Sequence, residues 1–135
     1  MGQGSIIGYE INEKTCQISF YNEKDLEPDT LEVDTDNYQI PLIIGKLRDT
    51  WAYGKEAKRL VTIKDGFTAT RLLSKSLAGD KIEFGEETYD AVWLLSQFIQ
   101  MSLQSFPEID GIVFTVPSLS EEMAQMLRGI AVRMN

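Results

Sequence analysis

The chain has 135 residues, 43% of them hydrophobic and 25% charged, with a formal net charge of −8 and no histidine. This is enough for one globular domain with a core that needs neither disulfides nor metal, and the lack of histidine removes Ser-His-Asp and Cys-His catalysis and nearly all zinc sites. The acidic balance disfavours nucleic acid, no apolar run approaches the ~18 residues of a membrane span, and the single cysteine, Cys16, suits a reducing cytoplasm.

In chain order, residues 5–11 and 15–21 are two β-rich runs around the turn signal Asn12-Glu13-Lys14. Cys16, Ile18 and Phe20 alternate with Gln17 and Ser19, the period of a strand, so the pair predicts a hairpin. Residues 22–29 are acidic, contain Pro28 and predict a loop; their charge resembles a metal loop, but the spacing does not match the calcium pattern. A third strand is expected over residues 30–33 and a turn over 34–37. Residues 38–44 predict an irregular or edge strand interrupted by Pro41. A short strand around Trp51 and a helical patch over residues 55–60 follow.

Residues 68–78 predict a helix stopped by Gly79. Tyr89, Val92, Trp93, Ser96, Ile99 and Leu103 recur at spacings of three and four, which predicts a helix over residues 86–105 with Glu86 and Glu87 in its first turn. Gly111-Ile112-Val113-Phe114-Thr115-Val116 is a continuous apolar run, as expected of a strand covered on both faces. Ser118 and Glu121 have capping-box spacing. Met123, Met126, Leu127, Ile130 and Met134 then mark one face of a final helix. No cap precedes Asn135, so a continuation in a longer protein is expected. Strands followed by α/β/α order predict an α/β fold with a mixed sheet, an antiparallel β-hairpin or meander at its start, and packed helices.

Ile7-Gly8-Tyr9-Glu10-Ile11-Asn12-Glu13-Lys14-Thr15 resembles the first β-hairpin of the superfamily of actin, DnaK-type heat-shock chaperone and sugar-kinase ATPases, which reads apolar-Gly-x-Asp-x-Gly-Thr-Thr. Gly111 to Ser118 is similar to the chaperone strand that ends Thr-Val-Pro-Ala, and residues 120–133 to the helix after it. Ile40-Pro41-Leu42-Ile43-Ile44, followed by Tyr53-Gly54-Lys55-Glu56-Ala57-Lys58-Arg59, is similar to a further stretch of those chaperones. The four likenesses run in collinear order over most of the chain. They imply a ribonuclease-H-like, actin-like ATPase fold and a single domain, residues 1–135, that is the N-terminal lobe of a longer protein.

The resemblance also implies a site. In the superfamily this hairpin wraps the phosphates of ATP, its amides facing the anion and its Asp ordering Mg²⁺ and water. Carried over residue by residue, the phosphate-binding positions are Gly8, Glu10, Asn12, Glu13, Lys14 and Thr15, with Glu10 facing Mg²⁺ through water. Arg71, with Lys75 as the alternative, lies near the stretch that positions the attacking water, although an arginine cannot serve as a base. Glu13 would set a carboxylate against a triphosphate, and the rest of the site would come from a second lobe. The chain alone is therefore expected to bind ATP weakly or not at all.

Blander readings stand beside these. Glu10 is equally a strand-end carboxylate in water, and Glu13-Lys14 an ordinary polar turn. Cys16 reads as a small buried hydrophobe, and Tyr89, Trp93 and Phe98 as core rather than a ligand cage. The methionine face of the final helix reads as a surface buried by the second lobe, which in isolation would promote self-association. Two functions are carried forward: an incomplete portion of a nucleotide-binding protein, and a non-catalytic interaction module that has kept the fold.

Overall fold

Alternation decides the first two strands. The computed structural model describes residues 5–21, 29–31, 38–106 and 108–133, and in it β1 (Ser5–Ile11) and β2 (Thr15–Tyr21) form the expected antiparallel hairpin. Ile7, Tyr9, Ile11, Cys16 and Ile18 are buried, while Ile6 and Glu10 project from the other face of β1. The third strand, β3 (Asp29–Thr30), is shorter than expected. Glu32 and Val33, the loop at 22–28 and the turn at 34–37 lie outside the described residues. Pro41 does end a short strand, β4 (Gln39–Pro41). Then β5 (Ile44–Leu47) and β6 (Thr50–Tyr53) form a second hairpin.

Helix α1 (Lys55–Arg59) follows Gly54, whose φ of 64° only glycine adopts cheaply. It passes into a 3₁₀ turn, Leu60–Thr62. The helix expected over residues 68–78 is divided into strand β7 (Gly66–Ala69) and helix α2 (Leu72–Ala78). The β-branched Thr68 favours the ladder that β7 makes with β5, and Arg71, in the left-handed region at φ 54°, turns the chain before the helix begins. Gly79 stops α2 as expected, at φ 71°, with the Asp80 N–H bonded back to the Lys75 carbonyl at 2.9 Å.

The helix expected over residues 86–105 also starts later. Strands β8 (Lys81–Phe84) and β9 (Glu87–Asp90) make a hairpin, and only then does α3 (Ala91–Ser102) begin. Glu87 therefore lies in a strand, not at a helix N-terminus. Gly85, with φ 66°, occupies the first central position of the two-residue turn, the place that a type II′ hairpin reserves for glycine.

Strand β10 (Ile109–Thr115) matches the expected apolar strand, but it is not covered on both faces: Val113 is 61% exposed. Among the described residues β10 ends the sheet order, beside β1 alone, and Val113 and Thr115 on its outward face are exposed. Helix α4 (Glu121–Arg133) closes the described chain. Its cap is Ser120, whose Oγ accepts the Met123 N–H at 3.1 Å, rather than the expected Ser118.

Among the described residues the strands form three sheets. The five-stranded sheet runs β10-β1-β2-β3, with β4 also on β2; the three-stranded sheet runs β6-β5-β7; β8 and β9 form the third. β10 is parallel to β1, and the other pairs are antiparallel. The core lies between the buried face of β1 and β2 and helices α2, α3 and α4, which contribute Leu72, Leu94, Phe98, Leu127 and Ile130. Each such side chain contributes about 1.5–3 kcal/mol on burial. Met123 joins this core as well, so the final helix spends much of its apolar face inside the chain. Among the described residues, no helix is long and apolar enough to cross a membrane.

Candidate functional site

The β1–β2 turn is held by one side chain. Asn12 Oδ1 accepts the Lys14 N–H at 2.8 Å and the Thr15 N–H at 2.9 Å. The Asn12 N–H donates to the Thr15 carbonyl at 2.9 Å. Asparagine favours this arrangement because its short carboxamide reaches the backbone two residues on. The amides of Lys14 and Thr15 are thus already bonded within the turn.

Glu13 is also engaged. Its Oε1 accepts the Ser74 N–H and its Oε2 the Ser74 hydroxyl, both at 2.8 Å. Ser74 sits in the first turn of α2, where backbone N–H groups have no partner within the helix, and Arg71 gives no side-chain cap there. A carboxylate from a distant turn therefore takes the capping role. The Lys14 carbonyl accepts the Leu42 N–H at 2.8 Å, which ties the turn to the segment after β4.

The remaining expected positions lie along the hairpin. Glu10 is exposed, in register with Gln17 of β2 and Thr115 of β10. Gly8 is close to Ser19, and a Cβ there would collide with the Ser19 hydroxyl. Arg71 is exposed at the start of α2, and its carbonyl accepts the Lys75 N–H at 3.1 Å. The structure therefore brings residues 12–15 together as one turn and sets that turn beside α2 through Glu13 and Ser74. Ser74 was invisible to sequence reasoning, because nothing local marks a serine as the partner of a residue 61 positions away. Among the described residues no group of three or more His, Cys, Asp or Glu side chains could hold a metal ion.

A second cluster was also missed. Lys46 Nζ donates to Glu87 Oε1 and to the Tyr89 hydroxyl, each at 3.0 Å, and lies 5.2 Å from the centre of the Trp51 ring. The hydrogen bonds that Lys46 donates to Tyr89 and then to Glu87 raise its pKa. The bond from Lys46, then that from Tyr89, lowers the Glu87 pKa. Trp93, expected in the core, is instead 38% exposed and stacked on Tyr89. Phe98 is fully buried, as expected.

The family model described as "Family of unknown function (DUF5716) C-terminal" matches residues 27–135. The chain belongs to this family. No curated protein matches the sequence. Among solved structures, this member of the family is similar to a non-polymerising mutant of MamK bound to AMPPNP, with a TM-score of 0.67 and 11% sequence identity. The match covers 99% of this chain and 39% of that one. MamK is an actin-like ATPase, and the likeness shows that the fold here is actin-like.

Proposed function

We propose that the chain is one lobe of an actin-like protein, ribonuclease-H-like in topology, and that it acts as a non-catalytic interaction module whose β1–β2 hairpin no longer receives phosphate by itself. The observation behind this reading is the position of Asn12 Oδ1, bonded to the Lys14 and Thr15 amides. A phosphate cradle needs such amides free and close to the anion. Here an incoming phosphate would have to displace the Asn12 oxygen and then tolerate Glu13 in the same turn. A phosphate of ATP therefore does not fit this hairpin as it stands.

The experiment is titration calorimetry of the folded chain with ATP and Mg²⁺. The expected result is no measurable heat at millimolar ligand, a free energy weaker than about −4 kcal/mol. A micromolar dissociation constant would overturn the reading.

A second reading rests on Glu10, whose carboxylate is exposed at the end of β1 beside Thr115. In a longer protein with a second lobe, that carboxylate would hold a hydrated Mg²⁺, and the chain would be an incomplete portion of a nucleotide-binding site. Glu10→Ala in that protein would then weaken ATP binding by about tenfold, about 1.4 kcal/mol. An unchanged affinity would remove this reading.

A further inference from the structure

We propose that the β8–β9 hairpin is a flap, held on the three-stranded sheet by side chains alone and seated by Lys46. Four observations support this. First, β8 and β9 pair only with each other among the described residues, so no backbone ladder joins them to β5, β6 or β7. Second, the hairpin is closed at its base, where the Ala91 N–H donates to the Asp80 carbonyl at 2.9 Å, and it turns at Gly85. It can therefore move as a unit about residues 80 and 91.

Third, the sheet presents a row to the hairpin. Trp51, Lys46 and Phe67 are in register across β6, β5 and β7. Phe84 stacks on Phe67 with ring centres 5.6 Å apart, and Tyr89 meets Trp51 edge to face at 5.3 Å. The hydrophobic part of these ring contacts is non-directional and tolerates more sliding than a hydrogen bond does. Fourth, Lys46 supplies the direction. Its ammonium bonds to Glu87 Oε1 and the Tyr89 hydroxyl at 3.0 Å each, and the Tyr89 hydroxyl in turn donates to Glu87 Oε2 at 2.9 Å. The Lys46 side chain is only 12% exposed. Lys46 thus stabilises the closed state directly, through charge-assisted hydrogen bonds that are lost when the hairpin lifts, and it permits one seating and penalises others.

The flap therefore opens locally, without loss of the five-stranded sheet. The test is amide hydrogen exchange on the full chain, comparing the native protein with Lys46→Met and Glu87→Gln. Both substitutions keep the bulk of the side chain, and Glu87→Gln leaves the aromatic row intact if Lys46→Met fails to fold. Exchange at Ile82, Phe84 and Tyr89 should rise at least about tenfold, with Tyr9 and Ile18 unchanged, and Lys46→Arg should restore most of the protection. A rise shared equally by β1 and β2, or no rise in either variant, would overturn the proposal.

Discussion

The hydroxyls of Tyr9 and Ser102 meet at 2.6 Å, although the two residues stand 93 positions apart. Ser102 gives its own proton to the Ile99 carbonyl at 2.7 Å, so Tyr9 is the donor between them. Cys16 Sγ completes the series by donating to the Tyr9 oxygen at 3.6 Å. The central sheet is thus bound to the end of α3 by a directional polar chain inside the core. Tyr9→Phe should cost about 0.5–1.5 kcal/mol, the usual net value of one hydrogen bond. Ser102→Ala in the Tyr9→Phe background should add less than it does alone. Urea unfolding of the two single variants and the double variant measures this coupling, and strict additivity would contradict it.

The same chain predicts the response to alkali. Burial, offset in part by the bond to Tyr9, pushes the Cys16 thiol up to about 12 from its ordinary 9.0. Burial likewise raises Tyr9 well above its ordinary 10.0. Groups with raised native values contribute stability that is complete below their unfolded values and fades as pH climbs toward the native ones. Stability should therefore hold to about pH 9 and fall between there and about pH 12. Cys16→Ala should flatten the first part of that fall in thermal melts, although it lowers stability at neutral pH. The thiol should also react with a disulfide reagent far more slowly in the native chain than in urea, because the thiolate is the nucleophile and Cys16 is 1% exposed.

Glu13 and Ser74 give a third expectation. Removing the carboxylate with Glu13→Ala leaves an N–H of α2 uncapped and should cost about 0.5–2 kcal/mol, the range measured for lost caps. Glu13→Gln retains an acceptor and should cost less. Ser74→Ala keeps the backbone N–H bond and loses only the hydroxyl bond, so it should fall between them. Chemical denaturation ranks the three, and an inert Glu13→Ala would show that water caps α2 equally well.

Backbone sign supplies a paired test. Arg71 and Gly79 flank α2, both in the left-handed region, at φ 54° and 71°. Arg71→Gly relieves a conformation that costs a side-chain-bearing residue roughly 1 kcal/mol and should be neutral to stabilising. Gly79→Ala creates the same cost and should destabilise by about 1 kcal/mol. Gly54→Ala should be worse than Gly79→Ala, because a Cβ there would fall 2.8 Å from Ile40 Cγ2, whereas none of the structure lies within 4 Å at Gly79. Thermal unfolding of the three variants checks the order.

The sequence carried the β1–β2 hairpin, the apolar strand β10, the final helix and the actin-like fold, because periodicity and motif order are local or collinear signals. It misplaced the starts of α2 and α3 for one physical reason. Leu72, Leu73 and Leu77, and likewise Val92 to Leu103, have helical spacing that runs smoothly into β-prone neighbours such as Thr68 and Tyr89. The residues between them, Arg71 in the left-handed region and Asp90 in the extended one, break the backbone without breaking the apolar pattern. At the hairpin turn, residues 12–15 were legible as a unit from the motif. Their bonds were not: Asn12 capping its own turn is a local signal that the motif overshadowed, and Glu13 reaching Ser74 depends on tertiary packing. Lys46 was hidden for the same reason, since its partners come from β6 and β9.

The parallel pairing of β1 with β10 sets Ser5 beside Glu108 and Ile109, so the first described strand is joined by one of the last. During synthesis the β1–β2 hairpin precedes β10, and one side of β1 must wait for all the elements between them before it gains its neighbour. Such long loop closure slows folding, and it leaves a bare strand edge on the nascent chain that could pair with other molecules.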